Sequence, residues 1–113
     1  MTKVLLVKAN DGSALHTVSE GHSEFAEKGK DIVCSAVTIL MRTAIGLLSD
    51  TSGIELKTDT SLRGYLSFEA RVLKDDSKLK ERLSTIGDFL KEGFESLSKE
   101  FPQNVKLDFK LED

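Results

Sequence analysis

The chain has 113 residues and 12.5 kDa, with 16 Lys and Arg against 19 Asp and Glu, a formal charge of −3 and a single cysteine. That length suits one domain, residues 1–113, able to bury a core without staples, and one cysteine excludes an internal disulfide framework. With 39% hydrophobic and 31% charged residues the composition is that of a globular domain rather than a disordered one. A net-negative chain without a basic run interleaved with aromatics argues against direct nucleic-acid binding. No apolar run is expected to reach the roughly 20 residues that span a bilayer. The start, MTKVLLVKANDG, has no cleavage pattern of a signal peptide, and a cytoplasmic protein is expected.

The first predicted element is a strand over Lys3 to Lys8, closed by the hairpin signal Asn10-Asp11-Gly12. Its partner is placed at Ala14 to Glu20, where His16, Thr17 and Ser19 break the alternation of Leu15 and Val18. A polar segment from Gly21 to Lys30 follows. From Asp31 the period changes: Val33, Ala36, Val37, Leu40, Ala44, Leu47 and Leu48 recur at helical spacing. Ile32, Ile39 and Ile45 widen that surface, so the helix is expected to pack on more than one side. Ser49 to Gly53 ends it.

A second hairpin is read over Ile54 to Thr58 and Arg63 to Val72, around Asp59-Thr60-Ser61. Its later strand alternates cleanly, Leu66, Phe68, Ala70 and Val72 on one face. Asp75, Asp76 and Ser77 offer caps for a second helix with the stripe Leu79, Leu83, Ile86, Leu90, Phe94, Leu97 and Phe101, stopped by Pro102. The same stripe could supply a dimer face. A last strand places Val105, Leu107, Phe109 and Leu111 together. The order ββαββαβ implies an α+β two-layer sandwich, a mainly antiparallel five-stranded sheet with two helices on one face.

The nucleophile search is short. Cys34 is predicted in the first turn of the first helix, where unpaired amides and the dipole favour an anion, and a thiolate so placed is stabilised. His22 precedes it by 12 residues, and a strand–loop–helix connection can bring the two together as base and nucleophile. Asp31 either orients the imidazole or only caps the helix. The bland alternative is that a lone cysteine on an apolar helix is core. His16 reads as structural or solvent-facing, and one Cys with two His falls short of a zinc site; no metal or cofactor is implied.

Gly21-His22, a loop containing Gly29, and then Asp31-Ile32-Val33-Cys34-Ser35-Ala36-Val37-Thr38 resemble the ribosomal-processing cysteine protease family, Prp. Outside residues 21–38 the resemblance is one of length and element order. It implies a homodimeric cytoplasmic cysteine endopeptidase that trims a short N-terminal extension, ending in aromatic residues, from large-subunit ribosomal protein twenty-seven. On that resemblance Cys34 is the nucleophile, His22 its base and Asp31 an assistant. Gly21 gives the histidine backbone freedom, and Ser23 to Lys30 form a gate over the cleft. Phe25 in that loop could contact substrate. Thr38 stands where the family usually has serine, keeping the hydroxyl but adding a methyl. The backbone N–H of Cys34 and its helix-start neighbours are the expected oxyanion donors. A non-catalytic ribosome-associated protein-binding module on the same scaffold is the competing reading.

Overall fold

The computed structural model describes residues 1–21, 28–62 and 64–113, the first four residues of the first helix by backbone alone. The elements run β1 (Thr2–Ala9), β2 (Ala14–Glu20), α1 (Lys28–Ser49), β3 (Ile54–Asp59), β4 (Tyr65–Val72), α2 (Ser77–Glu100) and β5 (Val105–Glu112). This is the expected order. The sheet order is β3-β4-β2-β1-β5. Three of its pairings are antiparallel, and β5 adds to β1 in parallel, so the sheet is mixed. The parallel pair follows from connectivity: α2 carries the chain from β4 over β2 and β1 before β5 joins the edge, a crossover that a hairpin cannot make.

The first hairpin and the α2 boundaries have local causes. In the β1–β2 turn the Ala9 carbonyl accepts from the Gly12 N–H at 3.0 Å, and Gly12 takes φ +81°, a left-handed backbone that side chains resist. Asp76 caps α2, its Oδ1 accepting from the N–H groups of Lys78 at 2.9 Å and Leu79 at 3.2 Å. Lys80 reaches both Asp75 and Asp11, tying the start of α2 to the first hairpin turn. At the far end the Phe101 N–H donates to the Leu97 carbonyl, and Pro102 prevents another turn.

The core lies between the helices and one sheet face. Val4 and Leu6, Leu15, and Leu66, Phe68 and Ala70 point into it from β1, β2 and β4. From α2 come Leu83, Ile86, Leu90 and Phe94, the stripe that the spacing predicts. From α1 the buried positions are Val33, Val37, Met41, Ala44 and Leu48, a ridge at spacings of four and three. That ridge passes through Met41 and leaves Leu47 exposed. Ile32 (57% exposed) and Ile39 (64%) face outward, while Leu40 and Ile45 pack against the core and Leu40 approaches Gly93 of α2, so α1 packs on both the sheet and the second helix.

The expectation about membrane-length segments also needs correction. Ile32–Ser49 is 18 residues long and apolar enough to cross a membrane by length and composition, with Arg42 as its one charged residue. Here its buried ridge docks on the sheet, as the core helix of a globular domain does.

Candidate active site

The sheet register brings the start of β1, the end of β2 and the start of β4 to one end of the molecule. Lys3 pairs with Glu20, and Glu20 with Tyr65. α1 packs across that end, and between helix and strands lies a cleft of about 300 Å³. Cys34, Thr38 and Arg42 line the helix wall. They stand at intervals of four residues, so they form one ridge about 12 Å long. Ser19, Glu20 and Gly21 line the facing wall with Gly64, Tyr65 and Leu66, while Thr60 and Leu62 close it from the β3–β4 connection. Thr2 forms the floor.

Hydrogen bonds fix these walls. The Gly21 N–H donates to the Gly64 carbonyl at 2.9 Å, holding the exit of β2 against the entry to β4. In the β3–β4 connection Asp59 Oδ1 accepts from the Ser61 hydroxyl at 2.7 Å and its N–H at 3.0 Å. Those donors, the hydroxyl foremost, hold the Asp59 carboxyl below its ordinary value of 3.8. The turn therefore presents Thr60 and Leu62 in a set position beside the cleft.

Cys34 is half-buried, and its Sγ lies 4.0 Å from Thr2 Oγ1, a separation at which either atom can donate. Thr2 is 8% exposed and directed inward by the same alternation that buries Val4 and Leu6. Gly21 sits directly above it: a Cβ on Gly21 would stand 2.7 Å from Thr2 Oγ1 and 2.9 Å from Thr2 Cα. Gly21 has no positive φ. Its backbone freedom, expected to serve the histidine, is therefore not a left-handed conformation; close approach to β1 is what requires glycine here.

Two expectations about α1 change. The helix is already formed at Lys28, which places Cys34 in its second turn and Asp31 inside its first. Asp31 is therefore not the N-cap. The amide of Cys34 bonds back to the carbonyl of Lys30 by helical geometry, so it is not an unpaired oxyanion donor. His22, Phe25 and the rest of the segment 22–27 lie outside the described residues, and Gly29 and Asp31 are described by backbone alone. Thr38 is exposed and lines the cleft.

Reading by motif missed Thr2, Glu20, Arg42 and Tyr65, none of which stands in a recognisable pattern. For Thr2 a signal existed, since an inward Val4 and Leu6 imply an inward position two residues earlier. His16 pairs across the strands with Glu69 on the outer sheet face, away from the cleft. The Glu69 carboxyl is held low chiefly by its hydrogen bond from Arg71, with His16 a lesser contributor. Among the described residues no three His, Cys, Asp or Glu side chains converge as metal ligands would.

Residues 1–106 match the family model for cysteine protease Prp. The chain belongs to the Prp family. The ribosomal processing cysteine protease Prp of Bacillus subtilis is 26% identical over 109 residues, covering 95% of this chain and 96% of that protein. Several solved structures share the fold. SMU.848 from Streptococcus mutans superposes with a TM-score of 0.72 at 21% identity, covering 99% of this chain and 96% of that one. The Prp protease from S. aureus, solved in complex with a substrate peptide, gives 0.73 at 17% identity, over 97% of this chain and all of the other. As a Prp protein this chain is a cysteine-type peptidase associated with ribosomal processing.

Proposed function

We propose that this Prp protein is a cytoplasmic, homodimeric endopeptidase that removes a short N-terminal extension from large-subunit ribosomal protein twenty-seven. Cys34 is the nucleophile and His22 its base, with Asp31 assisting. One observation carries the reading: the only cysteine of a cysteine protease chain lies in a cleft whose helix wall is long enough for three or four residues of extended peptide.

The chemistry follows from those groups. His22 takes the Sγ proton, and the thiolate attacks the scissile carbonyl to give a tetrahedral oxyanion. Collapse breaks the C–N bond as the imidazolium returns its proton to the leaving amine, and a thioester to Cys34 remains. Water, deprotonated by His22, hydrolyses the thioester and restores the thiol. The strand wall gives the peptide a backbone-lined surface to lie along, and Thr38, with Phe25 and with Gly29 in the first turn of α1, contacts its side chains.

The test is cleavage of the organism's own ribosomal protein twenty-seven, followed by intact mass, with wild type and Cys34→Ala in parallel. A single cut near the N-terminus, absent in the variant, is expected. A folded wild type that leaves the substrate whole but retains it on a column would overturn the peptidase reading in favour of a binding module. Sedimentation velocity measures the dimer in the same preparation.

A further inference from the structure

The floor of the cleft is a hydroxyl. Thr2 presents Oγ1 toward Cys34 Sγ at 4.0 Å from a position that is nine-tenths buried. A thiolate in a half-buried cleft needs donors, and a hydrogen bond to an anion is roughly twice as strong as one between neutral groups.

We infer that Thr2 is a positioning residue for the nucleophile, its hydroxyl turning to donate to Cys34 Sγ as the thiolate forms. The inference rests on the reading of Cys34 as the nucleophile. Chemically it is a matter of differential stabilisation. Beside the neutral thiol, Thr2 Oγ1 meets a weak S–H group. Beside the thiolate it becomes a charge-assisted donor, and this difference stabilises the attacking anion. Gly21 completes the arrangement, because a Cβ there would occupy the space of that hydroxyl. Were Thr2 only an inward strand residue, valine, with the same branched shape, would serve equally well.

That contrast sets the experiment. Iodoacetamide alkylation of Cys34 is followed by intact mass across pH in wild type, Thr2→Val and Thr2→Ser, with thermal melts confirming that each variant is folded. Alkylation reports the thiolate and needs no peptide substrate, so it separates failure of this inference from failure of the peptidase reading. At mildly acidic pH the Thr2→Val rate is expected to fall about tenfold. The rates converge at strongly alkaline pH, where every thiol is ionised, and Thr2→Ser restores the wild-type profile. In the cleavage assay the same loss falls on kcat with KM little changed. A Thr2→Val profile identical to wild type overturns the inference, as does a rate lowered equally at every pH, which signals altered access rather than thiolate stabilisation.

Discussion

Gly21 and Thr2 meet so closely at the base of the cleft that a single methyl group on Gly21 would fall within 2.9 Å of the β1 backbone. Contact with backbone cannot be relieved by turning a side chain. Gly21→Ala is therefore expected to displace the start of β1 or the end of β2 and to lower stability by about 1–3 kcal/mol. Urea denaturation measures it. Adding Thr2→Ala removes the contact with Oγ1 but not the one with Cα, so the double variant should recover only part of the loss. Full recovery would show that the hydroxyl alone sets the requirement for glycine.

Thr17 lies in the centre of the sheet, fully buried, between its cross-strand partners Leu6 and Phe68. Its Oγ1 has no hydrogen-bond partner among the described residues. A buried hydroxyl without a partner is a standing cost, and valine keeps the branched shape while removing it. Thr17→Val should raise stability by about 1 kcal/mol, seen as a higher urea midpoint with an unchanged slope. A lower midpoint would mean that the hydroxyl is satisfied after all.

Thr17 and Thr2 also mark where the sequence is hard to read. β4 and α2 were legible because Leu66, Phe68 and Ala70, and Leu83, Ile86, Leu90 and Phe94, keep strict strand and helix periods with apolar side chains. β2 was read with poor alternation because the inward positions after Leu15 are Thr17 and Ser19, polar residues on the core face. α1 was misjudged for the opposite reason. So many of its residues are apolar that the pattern could not separate Met41, which is buried, from Leu47 and Ile39, which are exposed. The site divides in the same way. Gly21, Cys34 and Thr38 stand in one contiguous motif and line the cleft together, whereas Thr2 and Tyr65 enter it through pairing between distant strands, which no local spacing encodes.

The β3–β4 turn supplies a pH dependence with a definite sign. The folded-state value of the Asp59 carboxyl is lowered by the Ser61 hydroxyl and N–H. A depressed carboxylate stabilises the fold above its unfolded value, ordinarily 3.8, and loses that contribution as pH falls through the lower folded value. Asp59→Asn removes the charge, so its stability deficit relative to wild type should be full at about pH 7 and shrink toward about pH 2.5. Urea midpoints at the two pH values test this, and a deficit of constant size would rule out the charge as its source. Because Asp11 is held low in the same manner by Ser13, wild type itself should weaken over the same acid range.

A pair of helical glycines tests how tightly the two helices are packed. Gly46 lies in the interior of α1, and a Cβ there would meet nothing within 4 Å. Gly93 lies in α2, where a Cβ would stand 2.9 Å from both terminal carbons of Leu40 on α1. Each alanine gains the same helix preference, about 0.5–1 kcal/mol. At Gly46 nothing opposes that gain, and Gly46→Ala should raise the melting temperature. At Gly93 the half-buried Leu40 must change rotamer or push the helices apart, a cost of about 1–3 kcal/mol that exceeds the gain. Gly93→Ala should therefore melt below wild type, and Leu40→Ala in the same chain should reverse the sign of the Gly93→Ala effect. If both single variants stabilise equally, the α1–α2 contact is looser than the distances indicate, and Leu40 does not lock the helix that carries Cys34.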